Sequence, residues 1–216
     1  MTARIGVLGG TFDPIHYGHL AAAEEARLAL RLDRVLLVPA ARQPLKSGGH
    51  AASPEQRFEM VRLACTGNDA FEPSRIELDR PGLSYTVDTL EELSREVPGE
   101  VHFILGADAL ADLPRWYAAQ HVVDLARIVA VRRPGFMPDL AALARDLPRI
   151  RDRLTVIEGA NLDISSSELR RRVAEKRPIR YLTPDAVVEY IAAHGLYLHS
   201  DQRRTTNDER PCEDRR

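Results

Sequence analysis

The chain has 216 residues and a formal net charge of −2 at pH 7, with 30 basic against 32 acidic side chains. This balance gives no electrostatic argument for nucleic acid or a membrane surface as a partner, and no apolar run approaches the length of a membrane span. Cys65 and Cys212 suggest neither a disulfide framework nor a zinc site, so we expect a reducing, cytoplasmic compartment. The length suits one α/β domain, placed at residues 1–200, and the polar tail 201–216 is predicted to be disordered.

The run GGTFDPIHYGH, residues 9–19, lies between a short apolar stretch and a helix-forming one. Residues 5–8 predict a buried strand, and residues 20–32, rich in Ala, Leu, Glu and Arg, predict a helix. Glycine allows backbone to approach a ligand closely, and a helix start offers N–H donors to an anion. His16 and His19 are three residues apart and can share one face of a helical turn. The run therefore predicts a phosphate site.

The same run resembles the Thr/His-x-Gly-His signature of the nucleotidyltransferase superfamily, whose members transfer a nucleoside monophosphate from a nucleoside triphosphate. Its glycines fit neither the Walker pattern nor the dinucleotide-binding fingerprint. Asp13 is the nearest carboxylate and could serve the site or fix the turn. The resemblance implies that the nucleotide is bound by Gly9, Gly10, Thr11, Phe12, His16 and His19.

Residues 35–38 predict a second buried strand, joined to the first by a right-handed parallel crossover. The loop that follows, residues 40–52, lies outside a strand end, where open α/β sheets bind ligands. It carries Lys46, and related enzymes place a lysine here, so we expect a second cation near the phosphates.

Ser53 to Gln56 has the sequence of a capped helix start, with proline at the first helical position. We expect this helix to end near Thr66. Arg57 lies in its first turn, where the helix dipole disfavours a cation. That placement indicates either a nearby anion or an ordinary surface arginine.

A second run, SYTVDTL over residues 84–90, follows a predicted strand at residues 71–78 and opens a predicted helix at residues 87–97. It closely resembles the Ser-Tyr-Thr-x-Asp-Thr-Leu run of nicotinate mononucleotide adenylyltransferases, which narrows the superfamily to one family. The resemblance implies that nicotinate mononucleotide is bound by Lys46, Ser84, Tyr85, Thr86, Trp116, Tyr117 and Arg133.

Residues 101–105 predict a strand, which is followed by a turn that contains Gly106 and Asp108. We expect Asp108 to cap the next helix, and the family resemblance places both residues beside ATP, where a carboxylate can accept ribose hydroxyls. Trp116 lies in a short polar-flanked segment beyond this strand, where it can stack on a flat ring. The resemblance places Trp116 against the pyridine ring, with Thr86 and the Tyr117 backbone at the ring's carboxylate edge.

Strands are also predicted at residues 128–131 and 154–157, with a helix over residues 138–151 between them. The run ISSSELR, residues 164–170, then opens a helix and resembles the second superfamily signature, Ile-Ser-Ser-Thr/Ser-x-x-Arg. Ser167 stands where threonine is common, which keeps the hydroxyl. Serine groups at a helix start can cap the helix or bind phosphate, and an arginine one turn in can reach the same anion. The resemblance implies ATP contacts from Ile164, Ser165, Ser166 and Arg170.

The resemblance covers residues 4–197 and implies a Rossmann-like, doubly wound parallel sheet with a small helical C-terminal part at about residues 160–200. The family reaction joins ATP and nicotinate mononucleotide to give nicotinate adenine dinucleotide and pyrophosphate, a step of NAD biosynthesis. No activated nucleophile pair appears in the motifs, so we expect direct in-line attack without a covalent intermediate. We expect Mg²⁺ to be carried by the ATP phosphates. The catalytic assignments are His16, His19, Lys46 and Arg170.

Three alternatives stay open. Pantetheine-phosphate adenylyltransferases share both superfamily signatures but would not account for residues 84–90 or 113–117. A nicotinamide-preferring enzyme differs by one ligand group. A catalytically silent nucleotide-binding regulator would use the same fold, although the intact His16, His19 and Arg170 argue against it. We expect no nucleic-acid or membrane partner, and a homo-oligomer is compatible with the sequence.

Overall fold

The computed structural model describes residues 3–43, 51–97, 99–132 and 139–198. The strands of this part are β1 (Ala3–Gly10), β2 (Arg34–Pro39), β3 (Phe71–Pro73), β4 (Gly99–Gly106), β5 (Arg127–Arg132) and β6 (Leu154–Glu158). They form one parallel sheet in the order β3-β2-β1-β4-β5-β6. The chain builds outward from β1 to β3 and then returns to place β4 on the other side of β1. This reversal confirms the doubly wound sheet predicted from the sequence.

Helices connect the strands on both sides of the sheet, as the continuous apolar strands of a parallel sheet require. The described helices are α1 (Tyr17–Leu30), α2 (Pro54–Cys65), α3 (Thr86–Glu96), α4 (Ala107–Asp112), α5 (Ala119–Leu125), α6 (Leu140–Asp146), α7 (Ser166–Ala174) and α8 (Asp185–Ala193), with 3-10 helices at Leu113–Arg115 and Pro148–Asp152. None of the described helices is long and apolar enough to cross a bilayer.

Two apolar clusters fill the space between the sheet and its helices. Along β1, Ile5 and Val7 enter one cluster and Leu8 enters the other, because alternate side chains leave opposite faces of a strand. Helices α1, α2, α7 and α8 contribute to the Leu8 cluster. Helices α3 to α6 contribute to the Ile5 cluster.

Two predicted elements differ from the observed ones. The strand predicted at residues 71–78 ends at Pro73, because the chain leaves the sheet there and turns back, with the Asp79 N–H donating to the Arg75 carbonyl at 2.9 Å. In the part of the chain that the structure describes, the single helix predicted at residues 138–151 is two shorter helices. Proline disfavours the helical conformation in the residue before it. Helix α6 therefore stops at Asp146, and a separate 3-10 helix begins at Pro148.

Candidate active site

The carboxyl ends of β1 and β4 meet where the strand order reverses, which is where open α/β sheets bind ligands. Strand β1 ends in Gly9 and Gly10. A Cβ atom on Gly10 would lie 2.9 Å from the ring of the buried Phe12, so packing here requires glycine. A Cβ atom on Gly9 would meet its nearest neighbour, the Phe103 ring, only at 3.7 Å. Gly9 is exposed, and its backbone is open to a ligand.

His16 and His19 lie together at the start of α1, as their spacing predicts. Their rings stack with centroids 3.7 Å apart and an interplanar angle of 24°. The Nδ1 atom of His19 accepts a hydrogen bond from the His16 backbone N–H at 3.3 Å. In the neutral ring the proton of His19 is therefore assigned to Nε2, which makes that atom a hydrogen-bond donor.

The second signature packs directly against the loop that carries the two histidines. Three consecutive carbonyl groups of this loop, those of residues 13, 14 and 15, accept hydrogen bonds from the C-terminal part of the chain. The donors are Arg170 Nη1 at 2.7 Å, Ser166 Oγ at 2.8 Å and Thr183 Oγ1 at 2.7 Å. They are separated from their acceptors by 152 to 168 residues. The fold thus brings the two sequence signatures into one site.

Helix α7 begins as predicted, because Ser165 Oγ accepts a hydrogen bond from the Glu168 backbone N–H at 3.2 Å. The hydroxyl of Ser166 donates to the Pro14 carbonyl, and the Ile164 side chain is buried in the core. Backbone groups are therefore what Ile164 and Ser166 can offer to an anion.

Arg170 is held in place by two contacts. Besides its bond to the Asp13 carbonyl, its Nη2 atom donates to Ser167 Oγ at 3.2 Å. The hydroxyl retained at position 167 thus orients the guanidinium group. Arg170 is half-buried, which leaves part of its guanidinium group accessible to a phosphate.

Arg57 is completely buried, so the expectation of an ordinary surface arginine is wrong. Its Nη1 atom donates to the carbonyls of Thr11 at 2.8 Å and Ala40 at 2.7 Å, and Nη2 donates to the Ala41 carbonyl at 3.2 Å. Burial lowers the pKa of Arg57, and the negative charge of Asp13 acts in the opposite direction. A carboxylate of the protein itself therefore lies close enough to favour the charged form of Arg57.

Asp13 fixes the turn, which is one of the two roles that the sequence leaves open. Its buried carboxylate accepts hydrogen bonds from the Ala51 N–H at 2.9 Å, the Ala52 N–H at 3.2 Å and the Tyr197 hydroxyl at 2.7 Å. Burial, followed by the Asp13 charge and this hydrogen bond, raises the pKa of Tyr197. Among the described residues, no group of three or more His, Cys, Asp or Glu side chains could hold a metal ion.

The SYTVDTL run lies beside the loop that follows β2. Ser84 Oγ accepts hydrogen bonds from the N–H groups of Ala41 at 2.9 Å and Arg42 at 3.3 Å. The Ser84 hydroxyl is itself bonded to the buried carboxylate of Glu77, which also accepts a bond from Thr89 Oγ1 at 2.8 Å. Ser84 therefore supports the loop after β2.

Glu77 is a buried residue of the site region that the sequence motifs do not single out. Its burial raises the pKa of the carboxyl, and hydrogen bonds from Thr89 and Ser84 and the charge of Arg80 act to lower it. The available signal in the sequence is an acidic residue between the apolar residues Ile76 and Leu78.

Aromatic side chains line the region where the mononucleotide is expected. The Tyr85 and Tyr117 rings are tilted against each other with centroids 4.7 Å apart. Trp116 is half-buried and meets the Phe103 ring edge-on at 6.0 Å. Thr86 is the first residue of α3 and follows Tyr85, whose ring contacts the exposed Tyr117 ring.

Asp108 does not cap α4, so that prediction is wrong. Gly106 is the residue at the N-cap position, which places Asp108 inside the first turn with its side chain exposed. The carboxylate is accordingly accessible beyond the end of β4. Lys46, Arg133, Cys212 and the tail 201–216 lie outside the described residues.

Comparisons with known proteins give a consistent result. The family model for cytidylyltransferase-like proteins matches residues 7–172. The chain is 63% identical to a probable nicotinate-nucleotide adenylyltransferase of Roseiflexus sp. strain RS-1 over 196 residues, which covers 91% of this chain and 98% of the relative. It is 48% identical to a probable nicotinate-nucleotide adenylyltransferase of Herpetosiphon aurantiacus, over 90% of this chain and 98% of the relative.

Solved structures share the fold. The nicotinic acid mononucleotide adenylyltransferase of Plasmodium falciparum, complexed with NaAD, superposes with a TM-score of 0.74 at 21% identity, over 90% of this chain and 97% of that one. A complex of the Plasmodium falciparum enzyme with APC gives a TM-score of 0.72. Because the family match spans both signatures and sequence identity reaches 63% over nearly the whole chain, this chain belongs to the nicotinate-nucleotide adenylyltransferase family of cytidylyltransferase-like proteins.

Proposed function

We propose that this chain transfers AMP from ATP to nicotinate mononucleotide and releases pyrophosphate, forming nicotinate adenine dinucleotide for NAD biosynthesis. The observation that carries the proposal is the bond between Arg170 and the Asp13 carbonyl, which joins the two phosphate-binding signatures. The choice of substrates follows from the family to which the chain belongs. The SYTVDTL run lies beside the loop after β2, because Ser84 accepts hydrogen bonds from that loop.

The phosphate groups of ATP are assigned to the start of α1 and to Arg170. At the start of α1 the N–H groups of Tyr17 and His19 already donate to the Leu182 and His16 carbonyls. The Nε2 atom of His19 offers a donor, and the exposed backbone at Gly9 allows a phosphate to approach closely. The 5′-phosphate of the mononucleotide attacks the α-phosphorus, one P–O bond forms, and the bond to the departing pyrophosphate breaks. The protein's part is to align the two reactants and to neutralise the charge that develops. Lys46 is proposed to add a further cation.

The mononucleotide is assigned to the aromatic region after β4 and to the start of α3. Trp116 offers a face for the pyridine ring, and the N–H groups at the start of α3 suit the ring's carboxylate. Ser84 contributes by holding the neighbouring loop through Ala41 and Arg42. The remaining assignments in this part of the site are Tyr85, Thr86, Tyr117 and Arg133.

Magnesium is proposed to arrive with ATP. Mg²⁺ keeps several of its water molecules and needs few protein ligands when it binds to a nucleotide. Asp13, the carboxylate within the first signature, already accepts three hydrogen bonds from protein groups. This donor set fits an ion held mainly by phosphate oxygens, which it would bring together by neutralising their charge.

A pyrophosphate-release assay with a panel of acceptors tests the proposal. Nicotinate mononucleotide should give release that depends on both substrates. Preferred use of nicotinamide mononucleotide or pantetheine phosphate would reassign the substrate. Binding of ATP without release in the presence of any acceptor would indicate a nucleotide-binding regulator. The cytoplasmic location, the homo-oligomer and the absence of a nucleic-acid partner stay predictions.

A further inference from the structure

Arg57 joins two loops at the carboxyl edge of the sheet, here called the nucleotide loop (residues 11–16) and the second loop (residues 40–42). One guanidinium donates to the Thr11 carbonyl of the nucleotide loop and to the Ala40 and Ala41 carbonyls of the second loop. Arg57 comes from the first turn of α2, so a third element supplies the connection.

A guanidinium in this place is costly, because burial disfavours a charged group unless it is paired and hydrogen-bonded. Helix α2 buries apolar side chains at four other positions, so an apolar residue would serve the core at this one too. What an apolar residue cannot supply is a planar set of donors that reaches three carbonyl groups at once. The arrangement therefore points to a role for Arg57 in orienting the two loops.

The carbonyl contacts determine which way the neighbouring N–H groups point. In a trans peptide the C=O and the following N–H lie on opposite sides of the chain. The N–H groups of Ala41 and Arg42 accordingly point away from Arg57 and donate to Ser84 Oγ. By the same geometry, the bond to the Thr11 carbonyl turns the N–H of Phe12 away from Arg57.

We propose that Arg57 is a positioning residue for adenylyl transfer, which fixes the nucleotide loop and the second loop relative to each other. The inference rests on the proposed function, since it assigns ATP to one loop and places the mononucleotide beside the other. Arg57 is fully buried and acts through the two loops. Each substrate keeps its own contacts when Arg57 is replaced, whereas the alignment of the attacking phosphate with the α-phosphorus is lost. A misplacement of about 1 Å can cost roughly 10²-fold in rate.

The test compares Arg57→Lys, Arg57→Met and the control Arg62→Met. Arg57→Lys keeps the positive charge beside Asp13 but loses the planar fork, so it changes the geometry with the least change in charge. Arg62 lies on the same helix, is exposed, and pairs only with Glu59 at 2.6 Å among its described partners. For Arg57→Lys we expect kcat to fall roughly ten- to hundredfold while KM for each substrate changes less than about threefold. Arg62→Met should match the wild type.

A purely structural role predicts a different pattern. The melting temperature would fall, but kcat per folded molecule, with the folded fraction measured by circular dichroism, would stay at the wild-type value. That result, or a rise in KM without loss of kcat, would overturn the proposal. If Arg57→Met does not fold, Arg57→Lys decides alone. The proposed function is tested separately, by which acceptor the wild type uses. The kcat of each variant is then compared with that of the wild type using this acceptor, so the comparison holds whichever mononucleotide it is. A wild type that uses no acceptor would overturn both.

Discussion

Tyr197 donates its phenolic hydroxyl to the Asp13 carboxylate at 2.7 Å, across a sequence separation of 184 residues. The same carboxylate accepts hydrogen bonds from the N–H groups of Ala51 and Ala52. One buried side chain of the nucleotide loop therefore ties together the end of the loop before α2 and the turn after α8. Loss of the phenol would leave this carboxylate with two donors instead of three, because the Oδ1 atom would keep only the Ala52 N–H.

Replacing Tyr197 by phenylalanine should lower the free energy of unfolding by about 1–3 kcal/mol, the usual cost of leaving a buried charged acceptor short of one hydrogen bond. Urea denaturation followed by circular dichroism measures the change. Tyr181→Phe is the matched control, because its side chain is 81% exposed. Equal stability of the two variants would show that the bond to Asp13 contributes nothing.

His19→Ala should reduce kcat by roughly 10²–10³-fold, because a donor aimed at charge that develops as pyrophosphate leaves acts in the transition state. The dissociation constant for ATP should change much less. The assignment uses the proton on Nε2, which follows from the bond that Nδ1 accepts from the His16 N–H. Steady-state rates and calorimetric ATP titration measure the two quantities, and near-normal turnover in the folded variant contradicts the assignment.

Glu77 should make the stability of the protein depend on pH. Burial raises the folded-state pKa of this carboxyl above its ordinary value, so the folded state binds a proton more tightly than the unfolded state does. The stabilisation is complete below the ordinary carboxyl range and is lost as pH rises through the folded pKa. Wild type should therefore lose stability relative to Glu77→Gln as pH rises from the ordinary carboxyl range into the range above it.

Urea denaturation of both proteins across that pH range gives the difference directly. Glu72→Gln is a suitable control, because Glu72 is exposed and paired with Arg34 at 2.9 Å on the sheet edge. A difference between wild type and Glu77→Gln that is constant with pH would show that Glu77 does not titrate in this range.

The parts of the site that depend on short-range sequence could be predicted. The spacing of His16 and His19 places both rings in one helical turn, and the Ser53–Gln56 capping box is present as expected. In both cases the partners lie three residues apart, so helix geometry alone brings them together.

The parts that depend on long-range contacts could not be predicted in the same way. Arg57 was compatible with a surface position because its acceptors come from residues 11, 40 and 41, and no pattern along α2 reveals them. Likewise, the role of Asp13 depends on Tyr197, at the far end of the described chain. Asp108 failed as a cap because α4 begins at Ala107, directly after the end of β4 and two residues earlier than a cap at Asp108 requires.

The acceptor should be the acid, nicotinate mononucleotide, in preference to the amide. Trp116 cannot provide this preference by stacking, since the two pyridine rings present similar faces. The start of α3 can provide it. Tyr85 occupies the N-cap position there without a side-chain hydrogen bond to the helix, so the first N–H groups of α3 can donate to a carboxylate. An amide would direct its own NH₂ group at these donors.

Each mismatched buried polar group costs about 1–3 kcal/mol, which corresponds to roughly ten- to hundredfold in kcat/KM. Because Trp116 stacks on both rings alike, Trp116→Ala should weaken the binding of both mononucleotides to the same extent. The ratio of their kcat/KM values should stay nearly unchanged. The measurement is kcat/KM for the two mononucleotides in wild type and in Trp116→Ala. Equal efficiency in wild type would refute the acid preference. A ratio that collapses in Trp116→Ala would instead assign the discrimination to the tryptophan, because only a residue that distinguishes acid from amide changes the ratio when it is removed.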